Sequence, residues 1–202
     1  MNIDPVILAM RGYDPTVRPP VLTEGDVSYV VHDTAIGRLL LAARPEGTAL
    51  ACVFTPAEAD VERVLARIAR VTSPRVLRGG RGLDRLRREL DDYLAGQVHA
   101  FTVPVDLALA TPFQRQVLTA LTEVGYGART TYGALALAVG RPSASRAVGA
   151  ALGANPLCVL LPCHRVLSAS GALTGYAGGL HAKARLLDLE SGPCGAQSCA
   201  RR

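Results

Sequence analysis

The chain has 202 residues, of which 49% are hydrophobic and 19% charged, a composition that supports a folded core and excludes wholesale disorder. It contains no run of eighteen apolar residues, so no membrane-spanning helix is predicted. The N-terminal apolar run is short and includes Asp4, which argues against a secretory signal, so we expect a cytoplasmic protein. The net charge is +5, and arginine supplies nearly all of the positive charge because Lys183 is the only lysine.

The first half of the chain predicts a small α/β domain that ends near Asp106. Residues 1–25 contain several prolines and no periodic pattern, so we expect a loosely held arm there. Beyond them, β-branched and apolar runs bounded by Gly, Pro or Asp predict strands, and apolar residues every three or four positions predict helices. The predicted strands cover residues 27–33, 37–44, 48–54 and 100–106, and the predicted helices cover residues 56–71 and 83–96.

Residues 107–111 are the expected linker to a second, mostly helical domain over residues 112–192, which is followed by a tail over residues 193–202. Between residues 111 and 192 there are seven basic and three acidic side chains, and this net charge of +4 suits a polyanionic partner. The pattern predicts helices over residues 112–124, 130–139, 144–152 and 180–190, a short strand over 158–161 and a Gly-rich loop over 171–180.

Two of these helices are joined by a tight turn. Gly140 ends the first helix, Pro142 prevents its continuation, and Ser143 is a suitable N-cap for the second. Such a pair is either a DNA-binding helix-turn-helix or an ordinary helical corner in a core. The second helix is built mostly from Ala and Gly, with Ser145 and Arg146 as its polar side chains. It therefore disfavours a sequence-reading regulator and favours sequence-independent DNA contact, although Arg146 alone also fits a solvated surface charge.

The five cysteines predict neither a disulfide framework nor a zinc site, because their number is odd and none forms a Cys-x-x-Cys pair. Cys163, in the stretch LLPCHRVL, follows Pro162 and precedes His164 and Arg165. It is either a small core residue at a strand end or a nucleophile whose pKa is lowered by positive neighbours. His164 can serve it only where the backbone turns after Pro162 or where a water connects the two side chains.

A nucleophilic cysteine that uses a histidine needs a third group to orient the ring. Glu190 is the candidate, because the last turn of a helix disfavours a carboxylate and a residue that breaks a local rule is often held by a functional partner. A tolerated surface acid is the alternative.

Seven short motifs occur in one order in the second half: PFQRQV, TTYGALA, RAVG, NP, PCHRV, GYAGGL and LLDLE. Over residues 111–190 they resemble the O6-alkylguanine-DNA alkyltransferases, also called methylated-DNA–protein-cysteine methyltransferases. The resemblance implies an α/β (α+β) fold with a small ribonuclease H-like first domain and a helical second domain that carries the helix-turn-helix and a short active-site strand. It also implies direct-reversal DNA repair without cofactor or metal. In that reaction an alkyl group moves irreversibly, once per protein molecule, from O6-alkylguanine to Cys163, and O4-alkylthymine is a further candidate substrate.

The resemblance assigns a chemical role to each matching residue. It implies that Cys163 is the alkyl acceptor, that His164 draws off its proton through a bound water, and that Glu190 orients His164. Asn155 braces the turn at the active site, and Tyr132 protonates the purine ring as the alkyl group leaves.

The resemblance further implies binding to double-stranded DNA in the minor groove, without sequence preference, and extrusion of the target base. Arg146 fills the gap that the extruded base leaves. The other implied DNA contacts are Thr131, Ser145, Ala147 and Gly149, and the implied substrate-pocket residues are Val166, Tyr176, Ala177, Gly178 and Lys183. A monomer in solution is expected, with cooperative binding along DNA left open.

The chain departs from the family pattern at three positions that bear on pocket breadth and alkyl size. Leu118 replaces a common tryptophan, Gly125 a common proline, and Ala177 lacks the hydroxyl of some members.

Three alternative functions are also considered. A lesion-binding relative without transfer is disfavoured because Cys163 is present, and a helix-turn-helix regulator is disfavoured by the Ala/Gly helix. Multiple turnovers on an ester or amide would instead indicate a cysteine hydrolase.

Overall fold

A computed structural model describes residues 26–80 and 82–192, so the predicted N-terminal arm and C-terminal tail lie outside the described residues. The first half forms one sheet from β1 (Val27–Thr34), β2 (Gly37–Ala43), β3 (Ala49–Phe54) and β4 (Val76–Arg78). The strand order is β3-β2-β1-β4. The pairs β1–β2 and β2–β3 are antiparallel, whereas β4 joins the other edge of β1 in parallel. The short strand β4 is an addition to the predicted strands.

Two helices, α1 (Glu58–Val71) and α2 (Leu83–Leu94), pack on opposite faces of this sheet. Leu40 of β2 belongs to the apolar cluster that includes the buried side chains of α1, whereas Leu39 belongs to the cluster that includes α2. Because β2 is covered on both faces, its run of consecutive apolar residues is buried throughout. Tyr93, near the end of α2, is thereby directed toward the second half of the chain.

The second half is mainly helical, and its two short strands, β5 (Thr130–Thr131) and β6 (Val166–Leu167), pair in parallel. Its first helix begins with a capping box, in which Thr111 Oγ1 accepts from the Gln114 N–H at 3.3 Å and Gln114 Oε1 accepts from the Thr111 N–H at 2.9 Å. None of the described helices is long and apolar enough to cross a membrane. The elements are α3 (Pro112–Leu121), β5 (Thr130–Thr131), α4 (Tyr132–Ala138), α5 (Ser145–Gly153), β6 (Val166–Leu167) and α6 (Gly179–Glu190).

One apolar core connects the two halves. Leu41 of β2, Leu118 of α3 and Leu186 of α6 belong to the same cluster of buried side chains. The backbone is joined as well, because the Cys52 N–H donates to Pro156 and the Cys158 N–H donates to Cys52, both at 2.8 Å. The division into domains at residues 107–111 stays a prediction. The continuous core places side chains of the first half against the functional residues of the second.

The predicted α/β fold class is confirmed, but two predicted strands are wrong. Residues 158–161 form only isolated bridges, and Val159 has a φ of 72°, which no strand accommodates. Residues 100–106 form one bridge, between Val105 and Ala49. Pro104 lies within the second segment, and Pro162 directly follows the first. Proline cannot donate a ladder hydrogen bond, so an apolar run did not suffice to make a strand.

Candidate active site

Cys163 lies in a single 3₁₀ turn, Cys163–Arg165, and Asn155 holds the segment in front of this turn. Asn155 Oδ1 accepts from the Leu157 N–H at 2.9 Å, and its Nδ2 donates to the Leu161 carbonyl at 3.1 Å. The same Nδ2 lies 3.3 Å from Cys163 Sγ. Asn155 therefore fixes the backbone that presents the thiol and also donates a hydrogen bond to the sulfur.

The surroundings of the Cys163 sulfur favour its ionised form. Hydrogen bonding with the neighbouring Cys158 thiol lowers the pKa of the Cys163 thiol, burial opposes this, and a hydrogen bond from Asn155 and the positive charge of Lys183 lower it further. Hydrogen bonding to Cys163 and burial raise the pKa of Cys158, and burial raises the pKa of Cys52. Among the cysteines that the structure describes, Cys163 is thus the one whose thiolate is stabilised.

Lys183 is a buried cation whose positive charge lowers the pKa of the Cys163 thiol. Its Nζ donates to the carbonyl of Val166 in β6 at 2.7 Å and to the carbonyl of Thr174 in the Gly-rich loop at 2.8 Å. Burial lowers the pKa of Lys183, although the charge of Cys163 opposes that shift. Lys183 therefore both ties the Gly-rich loop to β6 and contributes positive charge at the thiol.

The two residues after Cys163 in the 3₁₀ turn are both buried. Arg165 Nε lies 3.0 Å from each carboxylate oxygen of Glu190, and its Nη1 donates to the Val124 carbonyl. The positive charge of Arg165, which was predicted to lower the pKa of Cys163, is paired with Glu190. Lys183, which is distant in sequence, contributes positive charge that lowers the pKa of Cys163.

His164 is fully buried, and its Nε2 lies 2.6 Å from Glu190 Oε1. An ionised carboxylate can only accept hydrogen bonds, so we assign the ring proton to Nε2. Burial lowers the pKa of His164, with partial opposition from Glu190, so the ring is neutral near neutral pH. Its Nδ1 is buried and has no hydrogen-bond partner among the described residues. His164 thus presents an unpaired acceptor nitrogen, as a general base requires.

Glu190 lies at the centre of a buried polar cluster. Burial by itself raises the pKa of Glu190, but hydrogen bonds from His164 and Tyr93 and the charge of Arg165 lower it to about 2. Glu190 is therefore ionised near neutral pH and orients His164 without itself taking a proton. Besides His164 and Arg165, its donors are Tyr93 Oη at 2.5 Å, the Gly127 N–H at 3.1 Å and Arg129 Nη1 at 3.3 Å.

An open cavity of about 800 Å³ lies between α4, α5 and the Gly-rich loop. Tyr132, at the start of α4, contributes one wall, and its Oη lies 3.0 Å from Thr174 Oγ1. The volume is within the range of small-molecule sites. The predicted site residues that line the cavity are Thr131, Tyr132, Ser145, Arg146, Gly149, Tyr176 and Ala177.

Three other predicted pocket residues, Val166, Gly178 and Lys183, are not among the residues that line this cavity. Val166 and Lys183 are fully buried. Gly178 packs so closely against the ring of Phe54 that an added Cβ would lie 2.4 Å from it. The Phe54 ring also contacts Tyr176 edge to face, with 5.5 Å between centroids. A side chain of the first half therefore shapes the Gly-rich loop.

The turn between α4 and α5 is closed by Gly140, which has a φ of 70°. Ser143 was predicted to be the N-cap of α5, but this prediction is wrong. Ala144 is the N-cap, and it makes no side-chain capping hydrogen bond. Arg146 and Ala147 are exposed on α5, so the predicted DNA-contacting face is open. It combines small side chains with one long cation.

The structure adds residues to the site that sequence reasoning missed. Tyr93 and Arg129 contact Glu190, Cys158 lowers the pKa of Cys163, and Phe54 supports the loop. Tyr93 lies within the predicted helix over residues 83–96, but no local signal pairs it with a residue 97 positions away. Only the tertiary fold identifies these partners.

The sequence of this part of the chain matches known proteins. Residues 112–192 match the family described as 6-O-methylguanine DNA methyltransferase, DNA binding domain. The chain is 50% identical over 102 residues to the inducible methylated-DNA–protein-cysteine methyltransferase of Bacillus subtilis, a match that covers 50% of this chain and 56% of that protein. It is 40% identical over 165 residues to the methylated-DNA–protein-cysteine methyltransferase of Mycolicibacterium paratuberculosis, covering 81% of this chain and 92% of that protein. The chain thus spans little more than half of the first relative and nearly all of the second.

Solved structures agree with the sequence matches. The crystal structure of Mycobacterium tuberculosis OGT in complex with DNA is similar with a TM-score of 0.68 and 34% identity, covering 81% of this chain and 92% of that one. The O6-methylguanine-DNA methyltransferase of the archaeon Pyrococcus kodakaraensis is similar with a TM-score of 0.59 and 25% identity, covering 81% of this chain and 98% of that one. The likeness therefore extends beyond residues 112–192 into the first half.

Proposed function

The chain belongs to the methylated-DNA–protein-cysteine methyltransferase family, and we propose that it repairs DNA by transferring the alkyl group of O6-alkylguanine to Cys163. The observation that carries this proposal is the geometry around Cys163: its sulfur accepts a hydrogen bond from Asn155 Nδ2 at 3.3 Å, and the adjacent His164 is held by Glu190 through Nε2 while its Nδ1 has no partner among the described residues. A buried cysteine with a purely structural role has no need of such an environment.

The first step is removal of the thiol proton. His164 Nδ1 accepts this proton through one bridging water, while Nε2–H remains hydrogen-bonded to Glu190. The resulting imidazolium is stabilised by the Glu190 carboxylate. His164 and Glu190 are buried, and their position protects the thiolate from bulk solvent.

The second step is a displacement at the alkyl carbon. The Cys163 sulfur forms a bond to this carbon as the bond from carbon to O6 of guanine breaks. The departing guanine anion takes a proton on its ring from the hydroxyl of Tyr132, which lines the cavity. The product is a thioether, which no group of this site can cleave, so each molecule reacts once and needs no cofactor.

The DNA partner is a duplex bound in the minor groove without sequence preference. The exposed Ala and Gly positions of α5 allow close approach to the groove, and the net charge of the second half favours the phosphate backbone. Arg146 enters the base stack and replaces the extruded guanine. Further contacts come from Thr131, Ser145, Ala147 and Gly149.

The extruded base occupies the cavity beside the Gly-rich loop. Tyr176 and Ala177 line it, and Val166, Gly178 and Lys183 hold its inner wall. Ala177 leaves room that a larger side chain would fill, so O4-alkylthymine and larger alkyl groups are included in the proposed substrate range. We further propose a monomer in solution that binds cooperatively along DNA, and a cytoplasmic location.

The test is intact mass spectrometry after the protein is mixed with a duplex that holds one O6-methylguanine. We expect one added methyl group per molecule, mapped to the peptide that contains Cys163, with no further modification at excess substrate. Cys163→Ala is the control, and it should bind the duplex without gaining mass. If the native protein binds the lesion but remains unmodified, it recognises the lesion without transfer and the proposal is wrong.

A further inference from the structure

Tyr93 comes from the first half of the chain, yet its hydroxyl lies 2.5 Å from Glu190 Oε1. We propose that Tyr93 is a positioning residue of alkyl transfer, which sets how strongly the Glu190–His164 pair holds a proton. The first half of the chain is then part of the catalytic apparatus and not only a scaffold. This inference rests on the proposed function.

One carboxylate oxygen serves both partners. Glu190 Oε1 accepts from Tyr93 Oη at 2.5 Å and from His164 Nε2 at 2.6 Å, while Arg165 Nε lies 3.0 Å away. Each donor withdraws negative charge from the same oxygen, so a strong bond from Tyr93 weakens the attraction of that oxygen for His164. The two short bonds therefore compete directly.

The Tyr93 hydroxyl is held in this position from several sides. Its ring stacks on Phe101 at 4.9 Å between centroids and meets Tyr126 edge to face at 5.9 Å. Arg165 Nη2 lies 3.4 Å from Tyr93 Oη, which leaves the hydroxyl proton free to point at Glu190. Only 1% of Tyr93 is exposed, so water does not compete for the hydroxyl.

Tyr93 remains a donor throughout the working pH range. Burial raises its pKa, and the negative charge of Glu190 raises it further, with opposition from Arg165. The group that titrates in this proposal is His164. The titratable and charged groups that face it from the surrounding elements are Tyr93 on α2, Arg129 before β5, Cys163 and Arg165 in the 3₁₀ turn, Tyr176 in the Gly-rich loop and Glu190 on α6. Of these, Tyr93 is the one that donates to the same oxygen as His164 through a neutral hydroxyl.

Removal of the hydroxyl has a consequence of defined sign. Without Tyr93 Oη, Glu190 Oε1 carries more charge and binds His164 more strongly, so the protonated imidazole is stabilised and the pKa of His164 rises. A protonated His164 cannot accept the proton of Cys163. The acid limb of the transfer rate against pH therefore moves to higher pH.

The experiment compares Tyr93→Phe with Tyr126→Phe in the full chain. Tyr126 lies in the same group of rings, and its hydroxyl donates to the Leu189 carbonyl at 3.2 Å. Single-turnover transfer is measured from about pH 5 to about pH 9, and the His164 ring is titrated by nitrogen NMR. We expect both midpoints to rise by about 0.5 to 1 pH unit in Tyr93→Phe, the range that a net hydrogen bond supports, and to stay in place in Tyr126→Phe.

A second variant covers the case in which Tyr93→Phe folds poorly. Difluorotyrosine at position 93 is a stronger donor, so both midpoints should fall rather than rise. Unshifted midpoints with a uniformly slower rate would show that Tyr93 only packs, and an equal shift in Tyr126→Phe would overturn the inference in the same way. If the native protein transfers no alkyl group, the proposed function fails. The His164 titration then still tests whether Tyr93 lowers the pKa of His164.

Discussion

Replacement of Glu190 by glutamine removes one negative charge from a buried cluster that contains Arg129 and Arg165. The pKa of Glu190 falls from 4.5 to about 2 on folding, and one pH unit corresponds to about 1.36 kcal/mol, so roughly 3 kcal/mol of stability depends on its ionised form. Loss of one partner from a buried ion pair usually costs about 3–5 kcal/mol, which agrees. We expect Glu190→Gln to lower the free energy of unfolding by roughly 3 kcal/mol near neutral pH.

The size of this loss depends on pH in one direction. Because the folded pKa lies below the unfolded one, the stabilisation is fully present above pH 4.5 and is lost as the pH falls toward about 2. Protonated Glu190 and glutamine carry the same charge. The difference between native protein and variant should therefore shrink to less than about 1 kcal/mol near pH 2.

Urea unfolding at several pH values from about 7 to about 2 measures both quantities. Asp188→Asn is the matched control, because Asp188 is an exposed carboxylate in the same turn of α6, and we expect a change within about 0.5 kcal/mol. A difference for Glu190→Gln that stays constant across the pH range would refute the electrostatic reasoning, since it would point to a packing defect of the glutamine.

Three further predictions concern transfer. Cys158→Ala removes the neighbouring thiol that lowers the pKa of Cys163, so this pKa should rise and single-turnover transfer near neutral pH should slow about two- to tenfold, with recovery at higher pH. An unchanged pH profile would contradict this. Arg146→Ala should slow repair in duplex DNA roughly tenfold or more but leave reaction with the free base intact, whereas equal losses would exclude a role in base extrusion. Tyr132→Phe should slow transfer about a hundredfold with little change in binding affinity, and an unchanged rate would exclude its role as the acid.

The sequence alone determined the family and the α/β class, and both are confirmed. It also predicted Cys163 as the centre of the site, because the residues that present this thiol lie close together along the chain. Asn155 is eight positions from Cys163, and one turn suffices to bring its amide to the sulfur. Such short-range geometry is encoded in local motifs.

Only the tertiary structure decided how the charges are arranged. Arg165 directly follows His164 in sequence, yet its charge is paired with Glu190, whereas Lys183 acts on the Cys163 sulfur. Tyr93 reaches Glu190 across 97 positions because one apolar core packs α2 against α6. Electrostatic and hydrogen-bond energies depend on distances in space and on burial, and a sequence pattern specifies neither for residues that meet only after folding.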